Sequence, residues 1–171
     1  GDIINNQLSF AENAIAFRGY RDADDFCAHY PFSPYQFQLL QKVFESIRKV
    51  GATGRHLARG ERSMLDAFQT AAVGNGDKEA DALIPLYDFY PSIESFLDSA
   101  VKRAIDQATD NPALESWDTQ LLRALFLIRY ADAVKGTVDN LATLCLDQVD
   151  ADKLALKKKI DESLHRLERQ N

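Results

Sequence analysis

Cysteine is scarce in this chain. Cys27 and Cys145 stand far apart, and neither belongs to a CxxC pair or a Cys/His cluster. That excludes a disulfide framework and a thiolate zinc site, and both residues read as small core side chains. Long apolar runs are also missing: nothing approaches the roughly 18 residues that a membrane span needs. The opening GDIINNQLSF lacks the basic-then-apolar pattern of a secretory signal, so the expected compartment is the cytoplasm. Positive charge is in deficit, with 20 Lys and Arg against 26 Asp and Glu and a net charge of −6. Non-specific nucleic-acid affinity comes from phosphate neutralisation, so any DNA contact must be confined to a local patch.

Catalytic signatures are absent as well. No Gly-Lys dipeptide occurs, hence no Walker A loop, and there is no HExxH, no GxSxG and no Cys-His pairing. The carboxylates are many, but none stands out as an acid/base pair. The chain by itself is therefore not expected to be an enzyme, and no metal site is expected.

What the sequence has is helix. With 171 residues and 46% hydrophobic content it can bury a substantial core. Ser33 and Pro34 open a helix in which Phe37, Leu40, Phe44 and Ile47 recur at steps of three and four until Gly51. A second helix is predicted from Glu61 to Val73, with Met64, Leu65, Phe68 and Ala72 on one face. The stretch GNGDKEAD from Gly74 to Asp81 reads as an exposed loop, after which LIPLYDFYP re-enters the core. From Ser92 to Thr109 the apolar positions trace a single stripe, read as one helix ended by Asp110-Asn111-Pro112.

The segment from Leu121 to Val134 is apolar almost all round. It reads as a central buried helix capped by Asp118. A short helix from Asp139 to Leu146 and a closing helix from about Ala151, capped by Asp150, complete the pattern. No convincing alternating run marks a strand, so the fold class is all-α. The organisation expected is a multi-helix bundle over residues 1–112, followed over 113–171 by a trihelical unit in helix-turn-helix order that stops where the wing of a winged helix would begin.

Two groups of cations are candidate binding residues. Arg55, Arg59 and Arg62, with His56, cluster before the second helix, where cations oppose the macrodipole unless an anion is present. Arginines beside free helix N–H groups suit a phosphate. A helix that begins earlier, with Arg62 paired to Asp66, accounts for the same residues without a ligand. The second group lies on the closing helix. If Leu156, Ile160, Leu164 and Leu167 face inward, Lys158, Glu162, His165 and Arg169 face outward, flanked by Lys157, Lys159, Asp161 and Arg166. From Ala151 onward there are six basic residues against four acidic ones. So small a surplus fits a solvated or protein-facing surface, with Glu162 and Arg166 as an i,i+4 pair. DNA contact through Lys157, Lys158, His165 and Arg169 stays open beside it. His29 and His165 stand alone in their segments.

Four runs carry a family resemblance: YPFSPYQFQLLQ (30–41), GRHLARGERSMLDAFQ (54–69), LYDFYPSIESFLD (86–98) and the stretch from Phe126 to Glu168 beginning FLIRYADAVKG. Together they resemble the large P-loop ATPases of bacteriophage-exclusion (BREX) defence systems, the BrxC family related to PglY. The resemblance implies a region following the nucleotide-binding core, with a lid-like helical part leading into a winged-helix-like unit, as in AAA+ proteins of the origin-recognition type. It implies a role in phage defence, with ATP and Mg bound by the parent protein and no cofactor in this region. The partners it implies are other BREX subunits, further copies of the chain, or DNA, and no membrane. In such relatives a lid arginine in a GDxR-like motif reaches the nucleotide. Gly60-Glu61-Arg62 is one residue short of that spacing, so Arg59 and Arg62 are equal candidates for a sensor. A purely structural role in protein assembly is the alternative reading.

Overall fold

A computed structural model describes residues 2–10, 17–50 and 60–170, without the side chains of residues 2, 3, 50 and 60–62. The described residues are all-α. Nine helices are present among them: α1 (Asp2–Gln7), α2 (Ala23–His29), α3 (Pro34–Val50), α4 (Gly60–Gly74), α5 (Tyr90–Ile93), α6 (Ser99–Asp110), α7 (Ser116–Ala131), α8 (Val138–Leu144) and α9 (Lys153–Arg169). An isolated antiparallel bridge between Ala82 and Gln148 is the only extended pairing among the described residues.

Helix α3 starts where Ser33-Pro34 places it. The Ser33 N–H donates to Gln36 Oε1 at 3.0 Å, and the buried Gln36 donates on to the Ile84 carbonyl at 2.6 Å. One local cap thus also anchors the returning chain at Leu83–Pro91, whose Leu83, Ile84, Leu86, Phe89 and Tyr90 are buried. The inner stripe of α3 is Tyr35, Leu39, Leu40, Val43, Phe44 and Ile47. Phe37 stays partly exposed and stacks on Phe68 of α4, with ring centroids 4.4 Å apart.

Helix α4 keeps most of its expected face: Met64 and Phe68 pack against the core, and Ala72 is half-buried. Ala67 and Ala71 are buried, whereas Leu65 is 58% exposed. The small Ala67 and Ala71 let the α4 backbone approach α3 and the 86–93 segment closely, and the Phe68 ring beside them meets Phe32 and Phe89, each with centroids 4.9 Å apart. The loop after α4 is exposed as expected.

The stripe from Ser92 to Thr109 is not one helix. The chain passes through a 3₁₀ turn at Leu86–Phe89, α5, and a second 3₁₀ turn at Glu94–Phe96, then breaks at Leu97 with ψ 158° before α6 begins. Asp98 makes the break, its Oδ1 accepting the Ala100 N–H at 2.9 Å as an N-cap. Cap chemistry overrides periodicity here. Leu97, Val101 and Ile105 still reach the core, so the stripe survives the interruption.

Helix α7 is the centre. It packs against α3, α5, α6, α8, α9 and the 86–89 turn, with Leu121, Ala124, Leu127 and Ile128 buried. It begins earlier and ends sooner than the apolar run suggested. Glu115 occupies the N-cap position, and Asp118, three residues on, accepts the Glu115 N–H at 2.8 Å. Asp132 closes the helix in a left-handed conformation, φ 49°. The apolar cluster is continuous across Asn111-Pro112, because α3 and α6 on one side and α8 and α9 on the other all lie on α7.

Candidate functional site

The cation-bearing end of the chain is built on a buried carboxylate. Asp118 is fully buried in the first turn of α7, and Ser163 is fully buried on α9. Ser163 Oγ donates to Asp118 Oδ1 at 2.5 Å. Arg166 closes the fork, Nε to Oδ2 at 2.9 Å and Nη2 to Oδ1 at 2.8 Å. Burial pushes the Asp118 carboxyl up, but the hydrogen bonds from Arg166 and Ser163 outweigh it and hold the group below the usual carboxylate range. The planar guanidinium matches a carboxylate in two parallel bonds, so this contact fixes the rotation of α9 on α7. Arg166 also approaches Glu115 at 3.5 Å. The expected Glu162 to Arg166 pair does not form, because the buried carboxylate offers Arg166 two oxygens where an exposed Glu162 competes with water.

Helix α9 is capped by Asp152, whose Oδ1 accepts the Ala155 N–H at 3.1 Å, so the cap lies two residues later than Asp150. From that start Ile160 and Ser163 point fully inward. Leu156, Leu164 and Leu167 pack at the margin of the core. Three lysines of α9 are also drawn onto the fold. Lys153 donates to the Gln7 carbonyl at 2.6 Å and to Thr143 Oγ1 at 2.9 Å, tying α9 to α1, and burial lowers its pKa. Lys157 pairs with Asp139 of α8 at 3.0 Å. The Lys159 ammonium sits 4.3 Å from the centre of the Trp117 ring, a cation–π contact.

The outward ridge is what remains: Lys158, Glu162, His165 and Arg169, all exposed. His165 lies between Asp161 at 3.6 Å and Glu168 at 4.0 Å. Of the four residues expected to meet DNA, Lys157 is engaged with α8 and His165 is flanked by carboxylates. Lys158 and Arg169 make no ion pair among the described residues. Arg55, Arg59 and His56 lie outside the described residues, as does the Arg62 side chain.

A second polar cluster was not foreseen. Asp25 of α2 is buried and accepts from the Arg21 N–H at 2.9 Å and Arg18 Nη1 at 2.8 Å, with His29 Nδ1 at 3.1 Å. The Arg21 N–H bond, then Arg18 against the opposing effect of burial, lowers its carboxyl to about 2. His29 is therefore not solitary. Its ring also meets Phe37 edge-on at 5.5 Å. For the Asp118 clamp the sequence did hold a cue, since Ser163 interrupts the apolar inner face of α9 at a position that periodicity assigns to the core. Asp25 offered none, because Arg18 and Arg21 precede α2 in an irregular stretch.

Among the described residues, no group of three or more His, Cys, Asp or Glu is placed to hold a metal ion, and no helix is long and apolar enough to cross a membrane. No protein-family model matches the chain, and no solved structure matches it significantly.

Proposed function

We propose that the chain is a non-catalytic helical module of a BREX-type P-loop ATPase that passes nucleotide state to a partner protein through the outward face of α9. The family assignment rests on the four sequence runs that resemble that family. The choice of a protein over DNA rests on one observation: Lys153, Lys157, Lys159 and Arg166 are committed within the fold, which leaves Lys158, His165 and Arg169 alternating with Asp161, Glu162 and Glu168. A helix set in a DNA groove brings its carboxylates toward phosphates and loses the counterion-release gain that drives such binding. A ridge of alternating sign instead suits a charge-complementary protein surface.

In this reading Arg59 and Arg62 report on a phosphate held by the ATPase core. Two measurements test it. In the complete ATPase, Arg59→Ala with Arg62→Ala lowers ATP turnover; unchanged turnover removes the sensor. With the present chain, anisotropy of a labelled DNA duplex shows no saturable binding at about 0.1 M salt. Saturable binding that weakens when Lys157 and Lys158 are neutralised would return the ridge to DNA.

A further inference from the structure

Four large apolar side chains are exposed among the described residues: Phe37, Leu65, Val73 and Leu154. Leu154 stands apart at the start of α9, whereas the other three lie on α3 and α4. Leu65 is 58% exposed and Val73 82%, and Gln69, also exposed, falls between them on the same face of α4. Each step is four residues, so the three form one ridge along the helix. Ala72 is half-buried beside the ridge, and next to it the Phe68 ring stacks on Phe37, with centroids 4.4 Å apart. The far end of the ridge is open: a Cβ at Gly74 would meet no described atom within 4 Å.

In a chain with 27% charged residues, this face carries no charge at Leu65, Phe68, Gln69, Ala72 or Val73. A partner is therefore selected by shape and apolar area rather than by ion pairs. The order of residues fits a second copy of the chain. Two α4 helices laid antiparallel across a two-fold axis at Gln69 set Leu65 of each copy against Val73 of the other. Gln69 then meets Gln69, and an amide, holding both donors and an acceptor, pairs with its own copy. No like charges meet on the ridge, which matters for a chain whose net charge of −6 otherwise opposes self-contact. The 15 residues of α4 run about 22 Å, and with α3 alongside the face is about 20 Å across. A footprint of roughly 450 Å² per copy falls short of the roughly 800 Å² of a stable dimer and suits a weak, reversible pair.

We propose that the exposed face of α4 pairs with the same face of a second copy, antiparallel and two-fold about Gln69, as a weak and reversible dimer. Burial of Leu65 and Val73 supplies the attraction, and the Phe37–Phe68 stack forms the edge of the contact. This reading is independent of the ATPase assignment and of the outward ridge of α9.

The test is sedimentation equilibrium of the 171-residue chain. It should show monomer and dimer in exchange with a Kd on the order of 100 μM. Raising the salt from about 0.05 M to about 0.5 M should tighten the pair, because screening relieves the repulsion of two anionic copies, whereas an ion-paired contact would loosen. Leu65→Lys with Val73→Lys should weaken pairing about tenfold or more, even though it brings the net charge of −6 nearer to zero. Leu65→Lys with Val73→Glu should restore it, since the antiparallel register sets the new ammonium of each copy against the new carboxylate of the other. The two double variants alter the same exposed positions, so their difference separates pairing from folding. Leu154→Lys, on α9, should change nothing. A chain that stays monomeric at about 1 mM would overturn the proposal and leave the face to a different protein. A dimer that ignores the two lysines, or two double variants that pair equally, would overturn it as well.

Discussion

The two cysteines read alike in sequence and differ in the folded chain. Cys145 follows α8 and is 2% exposed, and burial pushes its thiol up to about 12. Cys27 is exposed on α2. The reason lies in the shortness of α2: its seven residues are held by the Asp25 cluster and by Phe26, whose ring meets Tyr20 and Tyr30, leaving Cys27 on the other side. Hydrophobicity of the residue type gave no hint of which side it would take. The thiolate is the reactive species, so a disulfide reagent at about pH 8 should label one thiol per folded chain quickly. The second should react only when denaturant unfolds the core. Cys27→Ser should remove the fast phase, and two fast thiols in the folded chain would contradict the burial of Cys145.

At the scale of elements, the long stripes were legible and their ends were not. The helices α3, α7 and α9 follow from apolar recurrence at three and four residues, a signal repeated over several turns and so robust to one misplaced residue. Ends depend on single side chains competing for the same N–H groups. Asp150 and Asp152 both precede α9, and only geometry selects Asp152; Asp98 splits a continuous stripe because its carboxylate caps α6. On α4 the expected Met64 and Phe68 do meet the core, whereas Leu65 is 58% exposed and Ala67 and Ala71 are buried in its stead. The docking of α9 on α7 is where this scale gives a measurable energy. Ile160 is fully buried between α9 and the core, whereas Leu154, on the same helix, is 78% exposed. Ile160→Ala should lower the unfolding free energy by about 3 kcal/mol, through lost transfer energy and the cavity left behind. Leu154→Ala should change it by no more than about 0.5 kcal/mol. Urea melts of the two variants check this, and equal losses would mean that α9 is held by its ends and not by its inner face.

For the whole molecule, all-α architecture and a central α7 were readable from composition and period, whereas the polar joints that fix one element against another were not. Asp118 was recognised as a capping residue of α7, but its role as the joint to α9 needs Ser163 and Arg166, 45 and 48 residues away. Such joints govern how the fold responds to acid. The carboxyl of Asp25 is lowered to about 2, first by the Arg21 N–H and then by Arg18, and that of Asp118 is lowered by Arg166 and Ser163 against burial. Both folded values lie below the unfolded one, about 3.9. The unfolded chain therefore binds more protons once the pH drops toward 4, and stability falls with pH from there. Both contributions are complete above the unfolded value and are lost as the pH passes down through the folded ones. The urea midpoint should thus hold steady from about pH 7 to about pH 5 and decline steeply below about pH 4. Side-chain carboxyl resonances of Asp25 and Asp118 should titrate below the unfolded-chain value of about 3.9. Arg166→Gln should bring only the Asp118 titration upward, because Asp25 belongs to a separate cluster on α2. If Asp118 keeps its low titration in that variant, the guanidinium is not what holds the carboxylate, and the coupling of α7 to α9 through this pair fails with it.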